Sequence, residues 1–112
     1  MKIKLLMIAF AFSLAMPAAA EFTTVEEAYE VALSNLRLPR NEVGTIAFKT
    51  CETCDYMTKR VNADTRYNIN GKSVKLSRFR AALAGVKDRS SEAITVLHHL
   101  ERNQVTAVSV YL

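Results

Sequence analysis

Two hydrophobic periods alternate along this chain, and they predict its elements. Over residues 23–38 Val25, Ala28, Tyr29, Ala32, Leu33 and Leu36 recur at helical spacing, which predicts an amphipathic N-terminal helix. Thr24 followed by Glu27 fits a capping box, in which each side chain satisfies a free backbone N–H of the first turn. Glu26, Glu27 and Glu30 then suit the positive end of that helix, Arg37 its last turn, and Pro39 its stop.

From Val43 the period drops towards two. Val43–Lys49 predicts a strand, Cys51–Asp55 a turn, Tyr56–Val61 a returning strand, and Asn62-Ala63-Asp64 a second turn. Thr65–Ile69 and Ser73–Leu76 predict a hairpin around Asn70-Gly71, a dipeptide suited to the two positive φ angles of a type I′ turn. Ser77 is the expected N-cap of a second helix carrying Phe79, Ala82, Leu83 and Val86, with Gly85 near its end. Ala93–Leu100 and Gln104–Leu112 predict two last strands around Glu101-Arg102-Asn103. The final run, apolar on both parities, reads as a covered strand.

The expected class is therefore α+β: a small antiparallel β-barrel or curved sheet, with an N-terminal amphipathic helix and one helix before the last two strands. That element order is OB-like, and a helix-covered meander fits it equally. Curling is favoured because five short strands on a small chain otherwise leave edges open.

The first twenty residues carry a different pattern. Lys2 and Lys4 precede an apolar run, Leu5–Met16, interrupted only by Ser13; Pro17 and Ala18-Ala19-Ala20 then supply a break and an A-x-A cleavage site. This reads as a signal peptide over residues 1–20. The run has 12 residues, against about 20 for a membrane-crossing helix. The expectation is an exported protein, periplasmic or secreted, whose mature part (21–112) is one β-rich domain without a transmembrane segment.

Removing Lys2 and Lys4 lowers the formal charge from +4 to +2, so the net charge says little. Its distribution says more. Acids dominate Glu21–Asp55, whereas Tyr56–Arg89 holds nine bases against Asp64 and Asp88. The expected contacts for an anionic partner are Arg60, Arg66, Tyr67, Lys72, Lys75 and Arg80. Arg66, Tyr67 and Lys72 offer two cations and an aromatic ring on one hairpin, as polymer-binding OB surfaces do. Export argues against nucleic acid and for an anionic envelope component or an acidic protein.

Cys51 and Cys54 are the 2 cysteines of the chain. In an exported protein a C-x-x-C across a turn predicts a structural disulfide. Two alternatives keep the same residues. A redox pair would need a lowered thiol pKa, typically from a helix N-terminus, whereas Glu52 and Asp55 are unfavourable neighbours. A metal site for Zn or Cu would need further ligands, and His98 and His99 are the candidates. As strand neighbours the two histidines point to opposite faces. No G-x-S-x-G, H-E-x-x-H or glycine-rich phosphate loop is present, and the chain has 3 glycines. A non-catalytic binding module is therefore the leading reading, with no catalytic residues and no cofactor assigned. Thiol redox or metal handling is the alternative.

Overall fold

The computed structural model describes residues 25–112. The expected signal peptide and the first residues of the expected N-terminal helix lie outside them. The described chain forms eight strands, one α-helix and a single 3-10 turn. The strands are β1 (Glu26–Ala32), β2 (Leu36–Arg37), β3 (Gly44–Phe48), β4 (Met57–Val61), β5 (Arg66–Ile69), β6 (Lys72–Val74), β7 (Ala93–His99) and β8 (Gln104–Val110). The helix, α1, spans Leu76–Ala84 between β6 and β7, and the 3-10 turn, Leu33–Asn35, joins β1 to β2.

The clearest correction falls on the expected first helix. Residues 26–32 are a strand, paired antiparallel with β7 along its whole length from Glu26↔His99 to Ala32↔Ala93. The same residues satisfy a period of two: Tyr29, Val31 and Leu33 turn inward, while Glu26, Ala28 and Glu30 stay exposed. Tyr29 and Val31 favour a strand, and β7 supplies a full ladder of backbone partners. Pairing across the fold thus overrides a local helical pattern.

The strands make two sheets, ordered β1-β7-β8-β5-β6 and β2-β3-β4. Neither closes, so there is no closed barrel among the described residues. Nor is the large sheet wholly antiparallel, since β5 runs parallel to β8 from Arg66↔Ala107 to Ile69↔Val110. Edges are left at β1 and β6, where short length or exposed acidic side chains blunt them.

The inner face of the large sheet packs against α1 and the small sheet. On α1, Leu76, Phe79 and Leu83 are buried, and the Phe79 ring lies 5.3 Å from that of Tyr67 on β5. Tyr29 of β1 meets Phe48 of β3 with centroids 5.2 Å apart, joining the two sheets. The doubly apolar run of β8 has a local cause. His98 pairs with Val105 but Leu97 pairs with Ala107, so one extra residue bulges between them. The bulge switches parity, and Val105, Val108 and Val110 all reach the core.

The remaining elements follow local chemistry closely. Asn70 and Gly71 adopt φ of 53° and 85°, as a type I′ turn requires. The helix starts slightly earlier than expected: its N-cap is Lys75, not Ser77, and no side chain caps it. Gly85 is the C-cap in a right-handed conformation, its N–H shared between the carbonyls of Ala82 and Leu83.

Candidate functional site

The cysteines form a disulfide, Cys51–Cys54, with Cα atoms 5.1 Å apart, inside the usual range for such bonds. It closes the turn between β3 and β4, where the Cys54 amide also donates to the Cys51 carbonyl at 3.2 Å. The loop is anchored by its neighbours. Asn35, buried at the end of the 3-10 turn, donates to Glu52 Oε1 at 3.5 Å, and Lys49 Nζ donates to the Glu52 carbonyl at 3.0 Å. Arg37 stacks on the Tyr56 ring at 4.4 Å. Cys51 is exposed and Cys54 half-buried. The thiol-lowering end of a helix is missing: the flanks are strands, as the sequence implied.

His98 and His99 diverge, as neighbours on a strand must. His98 is buried; its Nε2 lies 3.0 Å from Asn103 Oδ1, and its Nδ1 is 3.9 Å from Glu27 Oε1. Tyr29 donates its hydroxyl to the same Glu27 oxygen at 2.8 Å, a bond that, with partial burial, raises the phenol pKa. His99 Nδ1 accepts from the Arg102 amide at 3.2 Å. The four residues of the metal alternative therefore do not converge. The sulfurs are bonded to each other on the small sheet, the imidazoles sit on β7 of the large one, and no cluster of metal-ligating side chains exists among the described residues.

The six expected binding residues are also distributed. Arg60 is on β4, paired with Thr45. Arg66 points to the polar outer face of the large sheet, beside Asn68, Ser73 and Ser109. Lys72 is exposed at the β5–β6 hairpin. Tyr67, next to Arg66 on the strand, faces the opposite way, into the core, and is only 3% exposed. The hairpin thus does not present a cation and an aromatic ring on one surface. The alternation of strand side chains is the reason.

Lys75 and Arg80 do come together. With Arg40 they border a groove of about 360 Å³ beside the start of α1, whose wall includes Glu42 and Ser77. Arg80 holds the Pro39 carbonyl at 2.7 Å, which ties the 39–42 connector to the helix. On its other side Arg80 shares a second depression, about 260 Å³, with Arg37 and Arg89 over a floor that includes Leu36 and Leu83. Arg89 in turn donates to the Leu83 carbonyl at 2.8 Å. Arg37, Arg40 and Arg89 are the residues that sequence reasoning missed. Arg37 was expected at a helix end, and no spacing along the chain links the three to α1.

A third depression, about 260 Å³, lies where β5, β6 and the start of α1 meet; Glu42, Asp64, Arg66, Tyr67 and Lys75 are in its wall. The Tyr67 hydroxyl is buried without a hydrogen-bond partner. Burial, and secondarily the Glu42 carboxylate, push its pKa up to about 12.

Among the described residues no helix is long and apolar enough to cross a membrane. Comparison with known protein families, curated proteins and solved structures found no match for this chain.

Proposed function

We propose that the chain is an exported, non-catalytic binding module of the cell envelope that holds an anionic partner on the surface around α1. One observation carries this reading. Arg37, Arg40, Lys75, Arg80 and Arg89, from three separate segments, line two adjoining depressions. The start of α1 has no capping side chain and no acid in its first turn, so its positive dipole end adds to the same field. The signal-like residues 1–20 and the disulfide support export. The disulfide's part is structural, closing the β3–β4 turn.

The test is binding to vesicles containing an anionic phospholipid, with neutral vesicles as the control. A basic side chain near such a surface contributes about 1 kcal/mol. The triple variant R40E/K75E/R80E should therefore bind on the order of 100-fold more weakly, whereas R60E/K72E should bind nearly as wild type. Equal binding by the triple variant refutes this reading for a lipid surface. The same pair of variants on a polyanion column tests it for a polymer.

Exposure of Cys51 favours one second reading, thiol–disulfide exchange at Cys51–Cys54. Thr50 and Thr53 place hydroxyls 3.9 and 3.7 Å from the two sulfurs, where they would hydrogen-bond a thiolate. Equilibration with glutathione separates the readings. A structural bond has a potential below about −300 mV, and an exchanging one lies well above it. Metal handling would require that reduced state, and zinc uptake after reduction is its test.

A further inference from the structure

β1 is an edge strand, and its ladder with β7 fixes which of its backbone groups lack a partner. The Leu100 amide donates to the Val25 carbonyl and the Leu33 amide to the Glu92 carbonyl, each at 2.8 Å. These two bonds bracket the strand and share the register of Glu27↔His98, Tyr29↔Val96 and Val31↔Ile94. Bonded and non-bonded pairs alternate in an antiparallel ladder, so residues 25, 27, 29, 31 and 33 turn their N–H and C=O groups towards β7. Glu26, Ala28, Glu30 and Ala32 turn theirs the other way, where no strand of the described residues follows. The register runs without a shift, and Glu26, Ala28 and Glu30 are exposed. This is an accessible row of backbone donors and acceptors. The opposite edge, β6, has only 3 residues. Charge along β1 is of one sign: Glu26, Glu27 and Glu30 are exposed acids, and the strand holds no base.

We propose that this edge accepts an extended, basic segment of a partner protein as an added strand of the large sheet. The open backbone row supplies the main-chain bonds that hold such a strand, and the side chains select it. Glu26 and Glu30 lie on the same face of β1, with Ala28 between them. A partner lysine or arginine opposite Glu26, and another opposite Glu30, would each meet an acid across the pair. Ala28 has no side chain beyond Cβ, which leaves room for a larger partner residue between the two bases. A second copy of β1 fits less well. It would bring the acids of both copies along one seam, where like charges repel. The acids that blunt this edge against its own kind are thus the feature that favours a basic strand. The inference does not rest on the anionic-partner reading, whose residues come from other segments.

The experiment is isothermal titration of the protein with an acetylated peptide as long as β1 that alternates lysine with threonine. One control peptide carries glutamate for lysine, and another carries N-methyl groups on alternate backbone amides. The expected result is saturable binding of the lysine peptide with Kd at or below about 1 mM, and no comparable binding of either control. Amide exchange at Ala28 and Glu30 should slow on binding, whereas Tyr29, already turned to β7, should change little. Ala28→Pro removes a donor that the β7 ladder does not use, and proline is tolerated at such edge positions. That variant should fold and bind at least about 10-fold more weakly. E26Q/E30Q should bind about 3- to 10-fold more weakly. If Ala28→Pro does not fold, the N-methylated peptide and E26Q/E30Q decide the matter. Absence of binding at about 10 mM, far above specific affinities, overturns the proposal. So does equal binding of either control peptide. A concentration-dependent mass that Ala28→Pro abolishes also overturns it, and assigns the edge to a second copy.

Discussion

Thr65 is the latch of the parallel β5–β8 pair, and its substitution tests how that pair is held. Its hydroxyl donates to the Val105 carbonyl at 2.7 Å and accepts from the Asn62 amide at 3.1 Å, and the residue is only 8% exposed. Replacing Thr65 by Val keeps the shape and removes both bonds. At about 1 kcal/mol net for each bond, the expected loss is about 2 kcal/mol, rising towards 3 if the Val105 carbonyl finds no water. Thr65→Ser keeps the hydroxyl and loses one methyl, worth about 0.8 kcal/mol. Valine should therefore cost at least twice as much as serine, against a total stability of about 5–15 kcal/mol for a domain. Urea unfolding reads this as a lower midpoint at unchanged slope. In a thermal scan the Thr65→Val loss amounts to about 8–16 °C. If Ser proved as costly as Val, methyl packing rather than the hydroxyl would hold the turn. If Val cost less than about 0.5 kcal/mol, the latch would carry no weight. The adjacent Asn62–Gln104 bond shares this turn, so a double substitution should depart from additivity.

Three other perturbations follow from the same packing. Replacing Cys51 and Cys54 together by Ser removes a very short loop closure, whose entropic worth is about 2 kcal/mol or less; chemical denaturation should show that modest loss with the fold retained, and complete unfolding would show the bond to be far more than a staple for one turn. Phe79→Ala, at a fully buried residue that packs on Tyr67, should cost about 3–5 kcal/mol; a loss under 1 kcal/mol would mean that α1 is not seated on the large sheet. Tyr67 gives an alkaline signature. Its folded pKa of about 12 lies above the ordinary value of 10.0, so the unfolded chain releases the phenol proton first. The contribution is then fully present below pH 10 and is lost as pH rises from there towards 12. Tyr67→Phe should flatten that fall in stability, and an unchanged alkaline profile would show that the phenol is not held in its buried state.

Much of the fold is legible in the chain because its local signals are redundant. The strand–turn–strand around the cysteines, the Asn70-Gly71 hairpin and the helix bearing Phe79 and Leu83 each combine a period, a turn residue and a boundary that agree. Residues 26–33 are less decisive. Their apolar positions satisfy periods of both 3.6 and 2, and intrinsic preference cannot choose when Ala, Glu and Leu favour one answer while Tyr and Val favour the other. The free ladder of β7 decides it, and that ladder is formed by residues more than sixty positions away. The bulge in β8 is hidden for a related reason: it shows only as a loss of alternation, which a strand covered on both faces would also produce.

The candidate sites divide along the same line. What the sequence by itself determined is whatever depends on near neighbours: the cysteine spacing that permits a turn-closing disulfide, the opposed directions of His98 and His99, and the crowding of bases after residue 56. Only the tertiary structure decided which bases share a surface. It set Arg66 and Tyr67 on opposite sides of one strand, and it brought Arg37 and Arg40 against Lys75, Arg80 and Arg89 by tying the Pro39 carbonyl to α1. It also placed Glu42 near enough to Tyr67 for its charge to add to the effect of burial on the phenol. Spacing along a chain reports neighbours within a helix turn or a strand, whereas a site is made by pairings and packing that close loops of some forty residues. Those follow from burying the whole apolar set at once, which no local window contains.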